Sequence, residues 1–173
     1  QALVVDLDEV DALGELAVSE RRCDEGRAHF AEALRLLEQK GHADPAALNA
    51  VLGMGRAATC SRDFVTARAY LRRGEALAVK THGADELRVA DALNRLGELH
   101  LASDELEAAL ISYREALAIR VARSPEDSPL LGEAHIRVGE ALRRMGRLGE
   151  AAAAFEQARA SCAGPSSCEG YLE

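Results

Sequence analysis

The 173-residue sequence predicts an all-α fold built from four antiparallel helix pairs, and three observations carry that expectation. Helix formers dominate throughout, and no run of β-branched residues is bounded by turn signals, so strands are not expected. Apolar residues make up 48% of the chain but aromatics only 3%, so the core must be assembled from alanine and aliphatic side chains rather than around large rings. The chain is also self-similar, and self-similarity at a fixed period is the signature of a repeat array. Residues 92–119, "ALNRLGELHLASDELEAALISYREALAI", land on "AHIRVGEALRRMGRLGEAAAAFEQARAS" after a forward shift of 42 residues. Shifted back by 42, and then by a further 41, they meet "LNAVLGMGRAATCSRDFVTARAYLRRGEAL" and "VDALGELAVSERRCDEGRAHFAEALRLL".

In chain order, the four copies place first helices near 8–20, 45–60, 86–102 and 128–145, with partners near 23–39, 63–80, 105–122 and 148–162. Each first helix holds a glycine at the same register: Gly14, Gly55, Gly97 and Gly139. Glycine inside a helix is about 1 kcal/mol less favourable than alanine, so a fourfold recurrence needs a packing reason. Each glycine follows an apolar residue (Leu13, Met54, Leu96, Val138). Each partner helix then carries two small positions, Gly26, Ala67, Ala109 and Ala151 followed by Ala33, Gly74, Ala116 and Ala158. A large residue lies between them: Phe30, Leu71, Tyr113 or Phe155. The expectation is that small residues face one another so that two backbones approach closely, while the large residue fills the space between neighbouring pairs.

The connecting loops read "GHADPAAL", "HGADELRVADAL" and "SPEDSPLLGEAH", with Asp44, Asp85 and Asp127 just before each new first helix. An aspartate there suits the free N–H groups and the positive end of the helix dipole, so these three are expected to cap rather than to bind metal. Pro45 then occupies the first helical position, where proline is best tolerated.

This pattern of small and large residues resembles the tetratricopeptide repeat over residues 7 to 162. The period departs from the 34-residue unit and is similar to the 42-residue version of kinesin light chains and of many bacterial signalling proteins. The resemblance implies one array with repeats at about 7–43, 44–84, 85–126 and 127–162 and a tail at 163–173. It also implies a right-handed α-solenoid whose first helices line a concave face. The function it implies is a protein-interaction scaffold that takes a partner peptide or segment in the groove. A ligand- or partner-sensing regulatory domain of a bacterial signalling protein, either a Ser/Thr kinase or a transcription regulator, is the alternative, and self-association is a third. The last follows from "AGPSSCEGYLE" after Cys162, which offers no polar-faced closing helix. That ending, with a start at Gln1, also suggests a piece of a longer protein.

Groove residues follow from helical spacing. Asp91, Asn94, Arg95, Glu98 and Leu101 share one side of their helix, opposite Leu93, Leu96 and Gly97. Equivalent faces carry Asp8, Asp11 and Glu15, then Asn49, Leu52 and Arg56, then Glu133, Arg137, Glu140, Arg143 and Arg144. The candidate peptide-binding residues are Arg56, Asn94, Arg95, Glu98, Arg137, Glu140 and Arg144. Arg56, Arg95, Arg137 and Arg144 read as a cationic line suited to carboxylates, hence to an acidic partner segment. The alternative is an ordinary solvated face with pairs such as Arg137–Glu140 and Arg95–Glu98. The kinesin-light-chain type carries an Asn-Asn doublet where this chain has Asn94-Arg95.

Other functions find little support in the sequence. A net charge of −8 without a Lys/Arg block gives no footprint for nucleic acid. No apolar run approaches a membrane span. "GMGRAA" (53–58) has the outline of a dinucleotide fingerprint but falls inside a predicted helix, where it cannot cradle a pyrophosphate. Of the histidines, His42 and His82 fall in adjacent loops without a further ligand, and His100 aligns with Ala17, Ala58 and Leu142, so packing is expected of it. No cofactor, metal or catalytic motif is expected, and enzyme activity is not. Cys23, Cys60, Cys162 and Cys168 form no CxxC pair, so reduced thiols in a cytoplasmic protein are expected, with Cys162–Cys168 as the pairing an oxidising compartment would allow.

Overall fold

Eight α-helices and no strand make up the described residues, 7–39, 47–83, 86–123 and 128–161, of the computed structural model. They are α1 (Leu7–Ser19), α2 (Cys23–Gln39), α3 (Ala47–Cys60), α4 (Phe64–His82), α5 (Leu87–Ala102), α6 (Leu106–Arg123), α7 (Pro129–Arg144) and α8 (Leu148–Ser161). Every boundary falls within two residues of its expected place, because a short hydrophobic period repeated four times averages out local ambiguity. "GMGRAA" lies within α3. Asp44, Pro45, Asp85 and Asp127 lie outside the described residues, as do His42, Cys162 and Cys168. The residues that immediately precede α5 and α7 are Glu86 and Ser128, and neither caps through its side chain. A side-chain cap stands at α4, where Asp63 accepts a hydrogen bond from the Thr66 N–H at 3.2 Å. The Thr66 hydroxyl and then its N–H, with Arg27 nearby, hold the Asp63 carboxyl below the usual range.

Helices α1–α4 form one compact unit (Gln1–Ala84) and α5–α8 a second (Asp85–Glu173). In the first, α1 packs on α2, α2 on α3 and α3 on α4; in the second, α5 packs on α6, α6 on α7 and α7 on α8. The recurring glycines explain how each pair closes: in the first pair the expected small-on-small approach holds, a Cβ on Gly26 falling 3.1 Å from the Gly14 carbonyl oxygen, and in all four a further contact was not expected. Each glycine faces the large residue of its own partner helix. A Cβ added to Gly14 would lie 2.7 Å from the Phe30 ring, and one on Gly139 would lie 2.6 Å from that of Phe155. At Gly97 it would lie 2.7 Å from Tyr113 Cζ, and at Gly55 2.5 Å from Leu71. The missing side chain is therefore a socket for a ring or a leucine. The expected filling between neighbouring pairs also holds. Phe30 lies against Gly53 of α3 as well, and Tyr113 packs with Val138, Ala141 and Leu142 of α7. Phe30, Leu71 and Tyr113 are at most 2% exposed, so these sockets are dry.

The four turns inside the pairs share a second device. Arg21, Arg62, Asp104 and Gly146 occupy equivalent places, and all four have positive φ, between 61° and 75°. Only the last is the residue type that takes this conformation without steric penalty. Arg21→Gly is expected to stabilise the protein by up to about 1 kcal/mol, a gain measurable as a higher urea midpoint with unchanged slope.

One expectation is overturned. Cys23 and Cys60 form a disulfide, with their Cα atoms 5.6 Å apart, rather than standing as reduced thiols. Cys23 opens α2 and Cys60 closes α3, so the antiparallel packing of the two helices brings the thiols together across 37 residues of chain. His100 packs as expected. It is 4% exposed, and its Nδ1 lies 2.7 Å from Glu105 Oε2 at the start of the next helix.

Candidate functional site

The outward side of the first helices carries the charged residues singled out from the sequence, and each arginine on it meets an acidic group of the chain. In the first unit, Arg56 of α3 pairs with Glu15 of α1, joining two first helices directly. In the second, Arg95 donates to Glu98 within α5 at 3.3 Å. Arg137 of α7 bridges two carboxylates, Glu98 of α5 at 2.5 Å and Glu133 of its own helix at 2.6 Å. Arg95 thus takes its expected partner, whereas Arg137 meets Glu98 and Glu133 instead of Glu140. Glu140 is held by Arg143 in a two-pronged contact, 2.8 Å on each prong, which keeps its carboxyl below the usual range. Arg144 lies at the end of α7 and donates to the Leu101 carbonyl and to Asp104, both at 2.8 Å.

Of the predicted face, Asn94 is buried and Asp91 is paired within the chain. Asn94 is 7% exposed, with its Oδ1 buried and unpartnered. Asp91 accepts a hydrogen bond at 2.7 Å from Arg120 of α6, which is itself buried, so it serves the contact within the pair.

Between α5 and α7 opens a cleft of about 450 Å3. Leu101 and Ala102 of α5, Tyr113 of α6 and Ile136 of α7 give it apolar walls; Glu98, Glu133, Arg137 and Glu140 supply its polar atoms. The same Tyr113 that fills the Gly97 socket thus presents its outer edge to this cleft. Burial, reinforced by Glu98, pushes the Tyr113 hydroxyl well above its usual range, so it stays protonated. Burial alone would lower the Arg137 pKa; Glu98 and Glu133 more than reverse that, and the guanidinium stays charged. Of the seven candidate residues, the structure brings Glu98, Arg137 and Glu140 together here. Tyr113 and Ile136 were not assigned to the site from sequence. Ile136 occupies the register of Asp11, Leu52 and Asn94, where polar and apolar residues alternate, so the sequence carried no clear signal for it.

On α1 the same face holds an isolated acid. Asp11 has one buried oxygen without a partner, and burial, with the Asp8 charge beside it, raises its pKa from 3.8 to about 6. An acid with a raised folded pKa binds its proton more tightly when folded. Its ionisation therefore lowers stability as pH climbs from about 4 to about 6, and the loss is complete above that window. Asp11→Asn is expected to raise the melting temperature at pH 7 and to leave it nearly unchanged below pH 4. A thermal melt series across that range checks the sign.

No three His, Cys, Asp or Glu side chains converge as a metal site among the described residues, and no helix there is long and apolar enough to cross a membrane.

Residues 88–163 match the tetratricopeptide repeat family model. No curated protein sequence matches the chain. Among solved structures, the chain is similar to BtubC (BKLC) from P. vanneervenii, with a TM-score of 0.76 and 21% identity over 93% of this chain and 66% of that one. It is similar to a Rap protein complexed with Competence and Sporulation Factor, with a TM-score of 0.80 and 14% identity over 92% of this chain. It is also similar to the nearly identical TPR-like repeats of a putative kinesin light chain from Podosopora anserina, with a TM-score of 0.75 and 17% identity over 92% of this chain and 79% of that one. The chain spans under two thirds of BtubC and 44% of the Rap protein.

Proposed function

We propose that this tetratricopeptide-repeat chain is a protein-interaction scaffold, a single array of four repeats that holds a peptide or an extended segment of a partner along its first helices. The observation that carries the reading is the cleft between α5 and α7, an apolar floor bounded by charged side chains on the face that the repeat leaves open. Pockets that hold a ligand combine these two features, the floor for affinity and a few polar groups for orientation. Within this proposal Glu98, Arg137 and Glu140 touch the segment directly. Arg95 and Arg144 extend the contact along α5 and α7, whereas Asn94 is buried and Arg56 belongs to the first unit.

An acidic partner segment would have to displace carboxylates that Arg56, Arg95, Arg137 and Arg144 already hold, and such exchange brings little net gain. A cytoplasmic setting is the finer part of the proposal, and the Cys23–Cys60 disulfide, a bond characteristic of oxidising compartments, weighs against it. The regulatory alternative draws on the fold likeness to Rap proteins, one of them titled as a conjugation gene regulator in complex with the Phr* peptide. Self-association draws on Leu13 and Leu16 of α1. They are 43% and 50% exposed, whereas Met54 and Ala57 at the same register are buried against α2.

Selection of a random dodecapeptide display library on the immobilised chain tests the scaffold reading. Enriched peptides that bind wild type and lose binding to Ile136→Glu, with helical content retained, support it. No enrichment, or binding indifferent to that change, removes the cleft as the site.

A further inference from the structure

We infer that the cleft between α5 and α7 selects a basic side chain flanked by an apolar one, so that the partner segment is cationic rather than acidic. The inference rests on the peptide-binding reading and names the chemistry of what is bound. Its ground is the charge of the lining. Glu98, Glu133 and Glu140 contribute three carboxylates against the one guanidinium of Arg137. That guanidinium already donates to Glu98 and Glu133, so an incoming anion would compete with both.

Glu140 is the group a partner can reach. Its partner within the chain is Arg143, whose side chain is 58% exposed. Solvent-exposed pairs hold by about 0–1 kcal/mol, and more when two-pronged as here, so a second cation shares Glu140 with Arg143 rather than breaking a buried pair. An entering lysine or arginine would lay its methylene stem along Leu101 and Ile136, as long basic side chains do on apolar surfaces, and carry its charge to Glu140. A neighbouring apolar residue of the segment would cover Ala102, above the buried Tyr113 ring. A carboxylate in the same place would meet Glu98, Glu133 and Glu140, whose arginine partners offset only part of their repulsion, and would find each of those arginines already paired. Floor and rim together therefore discriminate by sign.

The library selection supplies the test through composition. Enriched dodecapeptides are expected to share a lysine or arginine beside a leucine-like residue. A synthetic member should bind about fivefold more weakly to Glu140→Gln than to wild type, and its affinity should fall with added salt. Glu140→Gln removes no buried pair, and matching circular dichroism and melting curves verify that it folds. Enriched peptides that are acidic, or that bind the variant as well as wild type, overturn the inference while leaving the scaffold reading intact. A library without any enriched peptide overturns both.

Discussion

Gly97→Leu is expected to destabilise the protein by about 3–5 kcal/mol, because the space its side chain needs is already filled by Tyr113. The ring is 2% exposed and wedged between α5 and α7, so it cannot swing aside without leaving the core that it shares with Val138 and Leu142. Even Gly97→Ala should destabilise. Helix propensity alone would favour alanine by about 1 kcal/mol, but its Cβ would fall 2.7 Å from Tyr113 Cζ, closer than real Cβ contacts come. Gly149 provides the control. It lies in α8 with nothing within 4 Å of an added Cβ, so Gly149→Ala should stabilise. Opposite signs for the same substitution separate packing from propensity. Combining Gly97→Leu with Tyr113→Ala should give less than the sum of the two losses, because the second change vacates the space that the first requires. Urea titrations read all five variants against wild type. Additive losses would mean that the glycine serves some purpose other than receiving the ring.

The contrast between what could and could not be read from the residues follows the distance over which each feature is encoded. Helix bounds depend on spacings of three and four, and the Arg95–Glu98 contact within α5 was legible for the same reason. Which positions are small was equally plain. Which face opposes them was not, since the same pattern allows glycine to meet alanine or to meet a ring, and only the relative rotation of α5 and α6 decides. The left-handed turns were hidden because arginine at 21 and 62 carries no signal for positive φ, whereas Gly146 at the same place does. Contacts between first helices were hidden too. Arg137 has Glu140 three residues ahead and Glu98 far away in sequence, and the register of α7 on α5 favours the distant one. The cleft inherits that difficulty. Glu98, Arg137 and Glu140 were found by helical spacing, but its floor needs Tyr113 from a third helix.

The disulfide is the clearest case of a feature written across helices, and its removal is the second large expected effect. Cys23→Ser or Cys60→Ser should lower stability by about 2–4 kcal/mol, because the bond closes a loop of 37 residues in the unfolded chain. For a chain of this length that corresponds to roughly 5–15 °C in melting temperature. The double variant should lose no more than either single one, since one missing sulfur already abolishes the bond. Dithiothreitol should lower the melting temperature of wild type by a similar amount and leave the serine variants where they are. Alkylation of Cys23 and Cys60 themselves without reductant, located by peptide mapping, with no response to dithiothreitol, would show that the bond does not form. The bond ties the start of α2 to the end of α3, next to the turn where Arg27 meets Ser61 at 2.7 Å and Asp63 at 3.7 Å. Reduction would therefore loosen the junction of the first two helix pairs. It leaves the α5–α7 cleft without a covalent consequence, because every residue that lines the cleft lies beyond Asp85. Peptide affinity that survives dithiothreitol, measured beside a lowered melting temperature, would show that the bond serves stability and that the cleft recognises its segment independently.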